Sequence, residues 1–291
     1  MAVIDPSNPK SVKVFDILSG KPVDGQIEHS TEILEMDLNQ VEMSSERKMC
    51  FIDSNRDMFL SMVHKPEVLK ISNMVDSFQW NDENDMLTAL SDGKLKTWFY
   101  PNAVYVDKDL MNKAMSAKEA SDVGKLGAIT QFNGNIVTVR RLDGSLATIG
   151  ISPYPKMLYE HVDKTDFEKA IRMCRFVKEQ PLWACLAAMS IYSRELNTVE
   201  IALAAIDEAD KVQFINYIKE LPSEPSRNAA LALYCKKYQE AEQILLSARL
   251  FYRAIKLNIK LYKWDRALAI AVENKTHVDT VIAYRQRYLQ R

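Results

Sequence analysis

The stretch AITQFNGNIVTVRRLDGSLATIGI, residues 128–151, decides the fold of the first half of the chain. It contains two turn dipeptides, Asn133-Gly134 and Asp143-Gly144, which supply the positive φ angles that tight β-hairpin turns require. The runs between these turns are rich in β-branched residues, which favour strands. The stretch therefore predicts three antiparallel strands joined by two tight turns.

Similar units occur upstream of this meander. Residues 33–62 and residues 77–100 each contain three strand-like runs, and units recur about every 40–50 residues, which is the period of WD40 blades. Residues 12–16 have the form of the third strand of such a blade, with Phe15 in the position usual for Trp. Trp98 holds the same position in a later unit. The pattern thus indicates repeated blades.

We therefore predict that residues 1–152 form the last blades of a WD40-type β-propeller, about three blades and the tail of a fourth. A closed propeller usually needs at least about four blades, and an open row leaves sheet edges unpaired. Either the chain is a fragment of a longer protein, which we favour, or another element seals the edge.

The hydrophobic periodicity changes at Ser152-Pro153 from two to about 3.6 residues. An aromatic residue followed three positions later by Ala recurs beyond this point, and the last three aromatics lie 13 residues apart, one short helix plus its turn. The pairs are Phe167/Ala170, Tyr238/Ala241, Phe251/Ala254 and Trp264/Ala267. Because a small Ala lets a neighbouring helix approach, residues 153–291 are predicted to form an α-solenoid of about nine or ten short helices in TPR-like hairpins.

Two sequences resemble N-terminal capping boxes. They begin at Thr165, with Glu168 three residues later, and at Thr276, with Asp279 three residues later. We predict that both threonines cap helices. No glycine occurs between residues 153 and 291, which fits closely packed short helices.

Charge is distributed unevenly between the two halves. Residues 1–152 hold 16 Lys and Arg against 22 Asp and Glu, whereas residues 153–291 hold 22 against 17. The net charges of −6 and +5 suggest different partners for each half, or they reflect chance and the needs of solubility. The whole chain carries −1, which gives no indication of nucleic-acid binding.

The sequence lacks the motifs of common enzyme and cofactor sites. It has no phosphate-binding G-x-x-x-x-G-K-[ST], no G-x-G-x-x-G and no G-x-S-x-G elbow. Its cysteines form no C-x-x-C pair and its histidines lie in no metal-ligand spacing, so we predict reduced, mostly buried thiols, no metal and no cofactor. These residues are Cys50, Cys174, Cys185 and Cys235, and His29, His64, His161 and His277. We therefore predict that the protein is not an enzyme.

Membrane and calcium signals are also weak. No apolar run approaches the roughly 18 residues of a membrane span, and the first residues do not form a signal peptide, so we expect a cytosolic protein with no membrane insertion. Asp82, Glu83 and Asp85 form an acidic cluster that lacks the glycine and terminal glutamate of a calcium-binding EF-hand loop. We interpret this cluster as a solvated hairpin turn.

One basic stripe is the candidate interaction face. Its residues are spaced 4, 3 and 4 apart, which places them along one face of a helix, and they are Arg249, Arg253, Lys256 and Lys260. The stripe is either a docking face for an acidic partner or a solvated outer face. Trp183 and Trp264 are either interface anchors or helix core, and we favour the core.

Three longer stretches carry a family resemblance: residues 98–107 (WFYPNAVYVD), 175–189 (RFVKEQPLWACLAAM) and 275–287 (KTHVDTVIAYRQR). They resemble the intraflagellar transport protein 80 family, whose members are WD-repeat subunits of intraflagellar transport complex B. Members carry two tandem propellers and a helical region, so the resemblance covers the end of the second propeller and most of the helices.

The resemblance implies a non-catalytic scaffold subunit that supports transport along ciliary microtubules and cilium assembly. It implies other complex B subunits as partners, self-association into a homodimer through the helical region, and a location in the cilium, basal body and cytoplasm. Two other readings stay open. A subunit of a vesicle-coat-like assembly would share the architecture, and an enzyme would need reactive side chains that converge in the propeller channel.

Overall fold

The computed structural model of the protein describes residues 1–23, 27–41, 46–120 and 127–290. Within these residues, strands dominate as far as residue 150 and helices follow. The strands are β1 (Ala2–Asp5), β2 (Asn8–Val14), β3 (Ile27–Glu28), β4 (Ile33–Leu38), β5 (Lys48–Asp53), β6 (Met58–Met62), β7 (Lys65–Ser72), β8 (Val75–Trp80), β9 (Leu87–Ser91), β10 (Lys94–Trp98), β11 (Met115–Glu119), β12 (Ala128–Asn133), β13 (Ile136–Arg140) and β14 (Leu146–Gly150).

Two short helices lie between β10 and β11, and ten longer ones follow β14 in the described part of the chain. The first two are α1 (Ala103–Val106) and α2 (Lys108–Lys113). The others are α3 (Tyr154–Asp163), α4 (Phe167–Val177), α5 (Gln180–Tyr192), α6 (Leu196–Ala205), α7 (Ala209–Lys219), α8 (Glu224–Tyr234), α9 (Tyr238–Ser247), α10 (Phe251–Lys260), α11 (Trp264–Glu273) and α12 (Val278–Leu289). The prediction of nine or ten helices is confirmed.

The strands of the described residues form four antiparallel meanders. Their orders are β1-β2-β3, β4-β5-β6-β7, β8-β9-β10-β11 and β12-β13-β14. Each meander follows chain order, as in the blades of a propeller. Among the described residues no strand of the first sheet pairs with a strand of the last. The predicted fold class, an incomplete WD40-type propeller followed by a TPR-like helical region, is confirmed.

The meander predicted from residues 128–151 has the expected register. Asn133 pairs with Ile136 across the first turn, and Arg140 pairs with Leu146 across the second. Gly134 has a φ of 55° and Gly144 a φ of 86°. These left-handed conformations are the ones that glycine adopts without a steric penalty, so the two turn dipeptides fix the meander.

The acidic turn between β8 and β9 departs from the sequence interpretation. Asp85 is buried, and one oxygen of its carboxylate lies 2.9 Å from Nζ of Lys48, which is fully buried at the start of β5. The side-chain amide of Asn39 donates to the other oxygen. The interpretation of a solvated turn is therefore wrong for Asp85, because a cation from the preceding blade compensates its burial.

The same turn also binds the following blade and the first long helix. The Asn81 side chain donates to the carbonyls of Phe132 (3.3 Å) and Gly134 (2.9 Å). The hydroxyl of Tyr159 on α3 donates to the carbonyl of Asp85 at 2.7 Å and to that of Phe99 at 2.8 Å. Residues 81–86 thus connect three neighbouring sheets and α3 through directional polar contacts.

The long helices pack mainly against their neighbours in the sequence, as in a solenoid. The four alanines of the predicted aromatic-Ala pairs are fully buried, which confirms their predicted role. Eight of the nine connections from α3 to α12 contain a non-glycine residue with positive φ: Thr165, Lys178, Arg194, Asp207, Lys236, Arg249, Tyr262 and Lys275. These left-handed residues end the preceding helix in the way that glycine usually does.

The two predicted capping threonines are wrong by one position. Thr165 adopts the left-handed turn, and Asp166 caps α4 by accepting from the backbone N–H of Lys169 at 3.2 Å. The N-cap of α12 is His277, not Thr276, and no side chain caps it. In both connections the left-handed turn moves the start of the helix past the threonine.

By its internal contacts the chain divides into two compact units. The blade unit comprises Met1–Val104 and Asp109–Leu186. The helical unit comprises Tyr105–Lys108 and the residues from Ala187 onward. The change from strands to helices falls between β14 and α3, whereas the helices as far as Leu186 belong to the blade unit. The division at residues 152 and 153 stays a prediction.

Candidate functional site

The described residues offer little reactive chemistry. No group of three or more His, Cys, Asp or Glu side chains in them is placed to hold a metal ion. All four cysteines are free, and burial raises the pKa of each thiol, to about 12 for Cys174 and about 11 for Cys235. Such thiols stay protonated near neutral pH. In the described part of the chain, every helix is too short or too polar to cross a bilayer.

The candidate site lies in the helical unit, where small residues bring α8, α9 and α10 together. Ala229, Ala241 and Ala254 are almost completely buried in one apolar cluster with Leu245 and Leu257. Since alanine side chains are short, these three helices approach closely. Their packing leaves a groove between α8 and α10 on the outside of the cluster.

This groove, which we call the α10 groove, has a volume of about 490 Å³. Its apolar surface includes Ala230 and Leu233 of α8 and Leu221, which precedes α8. Two exposed aromatic residues, Tyr217 and Tyr252, stand among the lining residues. The groove is therefore an open apolar surface rather than an enclosed cavity.

Three of the four predicted interaction residues line the α10 groove: Arg253, Lys256 and Lys260. They occupy α10, as the spacing predicts. Arg249 does not lie on this helix, because it forms the left-handed turn before α10, with a φ of 56°. The prediction that one helix face carries all four residues is wrong at this position.

Arg249 instead lines a second groove of about 410 Å³. Tyr252 and Arg253 line both grooves, so the two surfaces adjoin along α10. The ring of His277 lies 4.8 Å from that of Tyr252, measured between centroids. The four predicted residues are thus adjacent to one continuous surface, although they do not share one helix.

The charged side chains that line this surface are cationic. In the described part of the chain, no carboxylate lines either groove. Among the described residues Arg249, Arg253 and Lys260 have no ion-pair partner, and Nζ of Lys256 lies 5.8 Å above the Tyr252 ring. By contrast, Lys219 in the same unit pairs with Glu200 at 2.5 Å. The groove cations are therefore available to an anionic partner.

A different polar cluster joins α9 to the two helices that follow it. Glu242 of α9 accepts from Asn258 of α10 at 2.7 Å and from Nε of Arg266 of α11 at 2.8 Å. Burial opposes the charged form of Glu242, but these hydrogen bonds and the Arg266 charge outweigh it and lower its pKa. This carboxylate has a structural explanation and is not available for binding.

Sequence reasoning missed the apolar part of the surface. Leu221, Leu233 and Tyr217 lie 16 to 32 residues before Arg249, the first residue of the basic stripe, and no short-range spacing relates them to it. The only local signal is Tyr252, which directly precedes Arg253.

The two tryptophans of the sequence prediction differ in burial. Trp183 is buried, whereas Trp264 is half-buried and its ring centroid lies 5.5 Å from that of Tyr288.

Family models match most of the chain. Residues 1–154 match the model described as the IFT80 second beta-propeller, and residues 182–291 match the IFT80/172/WDR35/WDR19 TPR domain. Their order agrees with the blades and helices described above.

Curated relatives extend this similarity over the full sequence. The chain is 47% identical to the intraflagellar transport protein 80 homolog of Rattus norvegicus and 45% identical to that of Mus musculus, over 100% and 99% of its length. It is 22% identical to intraflagellar transport protein osm-1 of Caenorhabditis elegans over 91% of its length, and it covers 15% of that protein. The chain spans 38% of the length of each rodent relative. Since one family model covers more than half of the chain and agrees with these relatives, the chain belongs to the intraflagellar transport protein 80 family.

Proposed function

We propose that this chain is a non-catalytic scaffold part of intraflagellar transport complex B, which supports transport along ciliary microtubules and cilium assembly. The observation that carries the proposal is the similarity to intraflagellar transport protein 80 homologs across the whole chain, at 45–47% identity. Blades and stacked short helices are also architectures that present broad surfaces to other proteins.

The proposed partners are other complex B subunits, with self-association through the helical region as a second contact. The proposed location is the cilium and basal body, with a cytoplasmic pool. We propose neither a nucleic-acid partner nor insertion into a membrane. The basic residues Arg249, Arg253, Lys256 and Lys260 are the proposed contact region for an acidic partner.

Live imaging tests this function. The full-length protein that contains this chain is tagged with a fluorescent protein and expressed in ciliated cells depleted of the endogenous copy. We expect tagged particles to move along cilia and cilium length to recover. A uniform cytosolic signal with no recovery contradicts the proposal and favours the coat-like alternative.

A second experiment tests the proposed division into residues 1–152 and 153–291. Residues 153–291 expressed alone should be soluble and strongly helical by far-UV circular dichroism, because strand signals end before residue 153. A predominantly β spectrum contradicts the division. Insoluble material that becomes soluble when the chain starts at residue 187 favours a boundary at Leu186 instead.

A further inference from the structure

The α10 groove presents two kinds of surface on opposite walls. Arg253, Lys256 and Lys260 form a cationic wall, while Leu221 and Leu233 form an apolar wall. The cationic wall has no ion pair among the described residues, and the apolar wall is only half-buried. A complementary occupant therefore carries negative charge on one side and large apolar side chains on the other.

The spacing of the three cations along α10 favours a helix as the occupant of the groove. Positions 253, 256 and 260 are separated by three and four residues, and a rise of about 1.5 Å per residue puts the first and last roughly 10 Å apart along α10. A helix with carboxylates at positions i, i+3 and i+7 repeats the same separations. Its remaining inward side chains then face the apolar wall.

The dimensions of the groove suit such a helix. A volume of about 490 Å³ lies in the range of roughly 300–1,000 Å³ that ligand-binding clefts occupy. This is room for one or two large apolar side chains and not for a whole domain. The exposed rings of Tyr217 and Tyr252 add the kind of side chain that is enriched in protein interfaces.

We propose that the α10 groove binds an acidic amphipathic helix of another protein, with carboxylates on the cationic wall and an apolar anchor against Leu221 and Leu233. That this other protein belongs to the same complex rests on the function proposed above. The match of charge and apolar surface between the groove and the helix does not depend on that function. The Tyr252 ring holds the Lys256 ammonium beside the groove through a cation–π contact.

Charge argues against a second copy of the chain as the occupant. In a two-fold dimer the same patch lies on both sides of the interface. The cations of the two α10 helices would then face one another, in a half of the chain that already carries a net charge of +5. An acidic partner removes this repulsion, so charge complementarity favours a different protein.

A peptide-binding experiment with the intact 291-residue chain tests the proposal. The probes are fluorescein-labelled 16-residue helical peptides with Glu at i, i+3 and i+7 and with varied Leu, Ile and Phe on the adjoining face. We expect members of this set to bind in fluorescence anisotropy. The double variant Arg253→Glu and Lys256→Glu should weaken binding by more than about tenfold.

Matched controls separate the groove from general charge. Arg285→Glu with Arg287→Glu removes the same charge from the exposed face of α12 and should leave binding unchanged. Replacing the apolar peptide residues by Ser should weaken binding by at least about fivefold. If the first variant misfolds by circular dichroism, Lys256→Ala with Lys260→Ala, at two exposed positions, should still weaken binding about threefold or more.

Several outcomes overturn the proposal: no peptide of the set binds, the Ser peptide binds equally well, or the α12 variant loses as much affinity as the groove variant. If the chain binds phosphatidylcholine vesicles with added phosphatidylserine more tightly than it binds the peptides, the groove is a membrane-binding surface instead. If sedimentation velocity detects a dimer of the unchanged chain that is absent for the groove variant, a second copy of the chain occupies the groove. Failure of ciliary movement contradicts the proposed function separately, since peptide binding does not depend on it.

Discussion

The blade unit and the helical unit use polar side chains in different ways. In the blade unit a charged pair, Lys48 with Asp85, lies in the core, and the Asn39 side-chain amide donates to the Asp85 carboxylate. In the helical unit the cluster around Ala254 is apolar and rich in alanine, and a polar pair beside it, Glu242 with Arg266, lies near the surface. The blade turn therefore depends on directional contacts in the interior, and the helix cluster around Ala254 on close packing.

This difference predicts different responses to substitution. A buried charge that loses its partner remains in a low-dielectric interior and is strongly destabilising, whereas a half-exposed pair contributes little because water screens it. Where helices pack closely around alanine, a larger side chain at that position is destabilising.

The largest effect is expected from Asp85→Ala, which removes the carboxylate that lies 2.9 Å from the buried Lys48 ammonium. We expect the free energy of unfolding of the blade unit to fall by about 3–5 kcal/mol, as for other broken buried ion pairs. Urea denaturation measures it. Asp82→Ala, at an exposed position of the same turn, is the control; it removes only the hydrogen bond that Asp82 accepts from the Gly134 backbone N–H and should cost about 1 kcal/mol. Equal losses in the two variants contradict the central role of the buried pair.

Added volume should affect the helical unit next most strongly. Ala254→Leu inserts three carbon atoms where α10 packs against its neighbours, and we expect a loss of about 1–3 kcal/mol in the free energy of unfolding. Thermal unfolding followed by circular dichroism measures the change. Ala283→Leu, on the exposed face of α12, is the matched control and should change stability by less than about 0.5 kcal/mol. A similar loss in both variants means that helix propensity, not packing, is affected.

The surface polar cluster should give a smaller, pH-dependent effect. Because the pKa of Glu242 is lowered in the folded protein, its stabilisation is present above the pKa of an unfolded Glu, about 4.3, and is lost as the pH falls through the folded value. Glu242→Gln should therefore cost about 1 kcal/mol at pH 7 and progressively less as the pH falls through the folded pKa. Glu220→Gln, at an exposed position, is the matched control and should cost less than about 0.5 kcal/mol at pH 7.

The smallest effect should be a gain in stability. Lys236 adopts a φ of 59° in the turn before α9, a conformation that glycine adopts more readily. We expect Lys236→Gly to raise the free energy of unfolding by about 0.5–1 kcal/mol. Lys237→Gly, at the N-cap with a φ of −84°, should give no such gain. A loss in the first variant would mean that the Lys236 side chain has a stabilising contact of its own.

The sequence predicted the elements better than it predicted their contacts. Local signals determine hairpins and helices, so Gly134, Gly144 and the buried Ala254 were placed correctly. The helix turns were harder, since residues such as Lys236 and Arg249 adopt left-handed conformations without the glycine that normally marks them. This missing signal is also why the capping-box pattern predicts a helix start at Thr165, one residue before the observed cap.

The candidate site was predicted only in part for a related reason. Arg253, Lys256 and Lys260 share a helix, and periodicity alone groups them. Leu221 and Leu233 reach the same groove through the packing of α8 against α9 and of α9 against α10. The burial of Asp85 was equally invisible, because its partner Lys48 is 37 residues away in another blade. Contacts of this kind follow from tertiary packing and not from spacing.

The turn of residues 81–86 also sets an order of events during synthesis of the chain. Tyr159, which donates to the carbonyl of Asp85, is 74 residues downstream of it, and at about 5–20 residues per second the ribosome needs roughly 4–15 s to add that length. Throughout that interval the carbonyls of Asp85 and Phe99 lack the hydroxyl of Tyr159 as a donor. A nascent blade of this type therefore gains these two hydrogen bonds only after the first long helix has been synthesised.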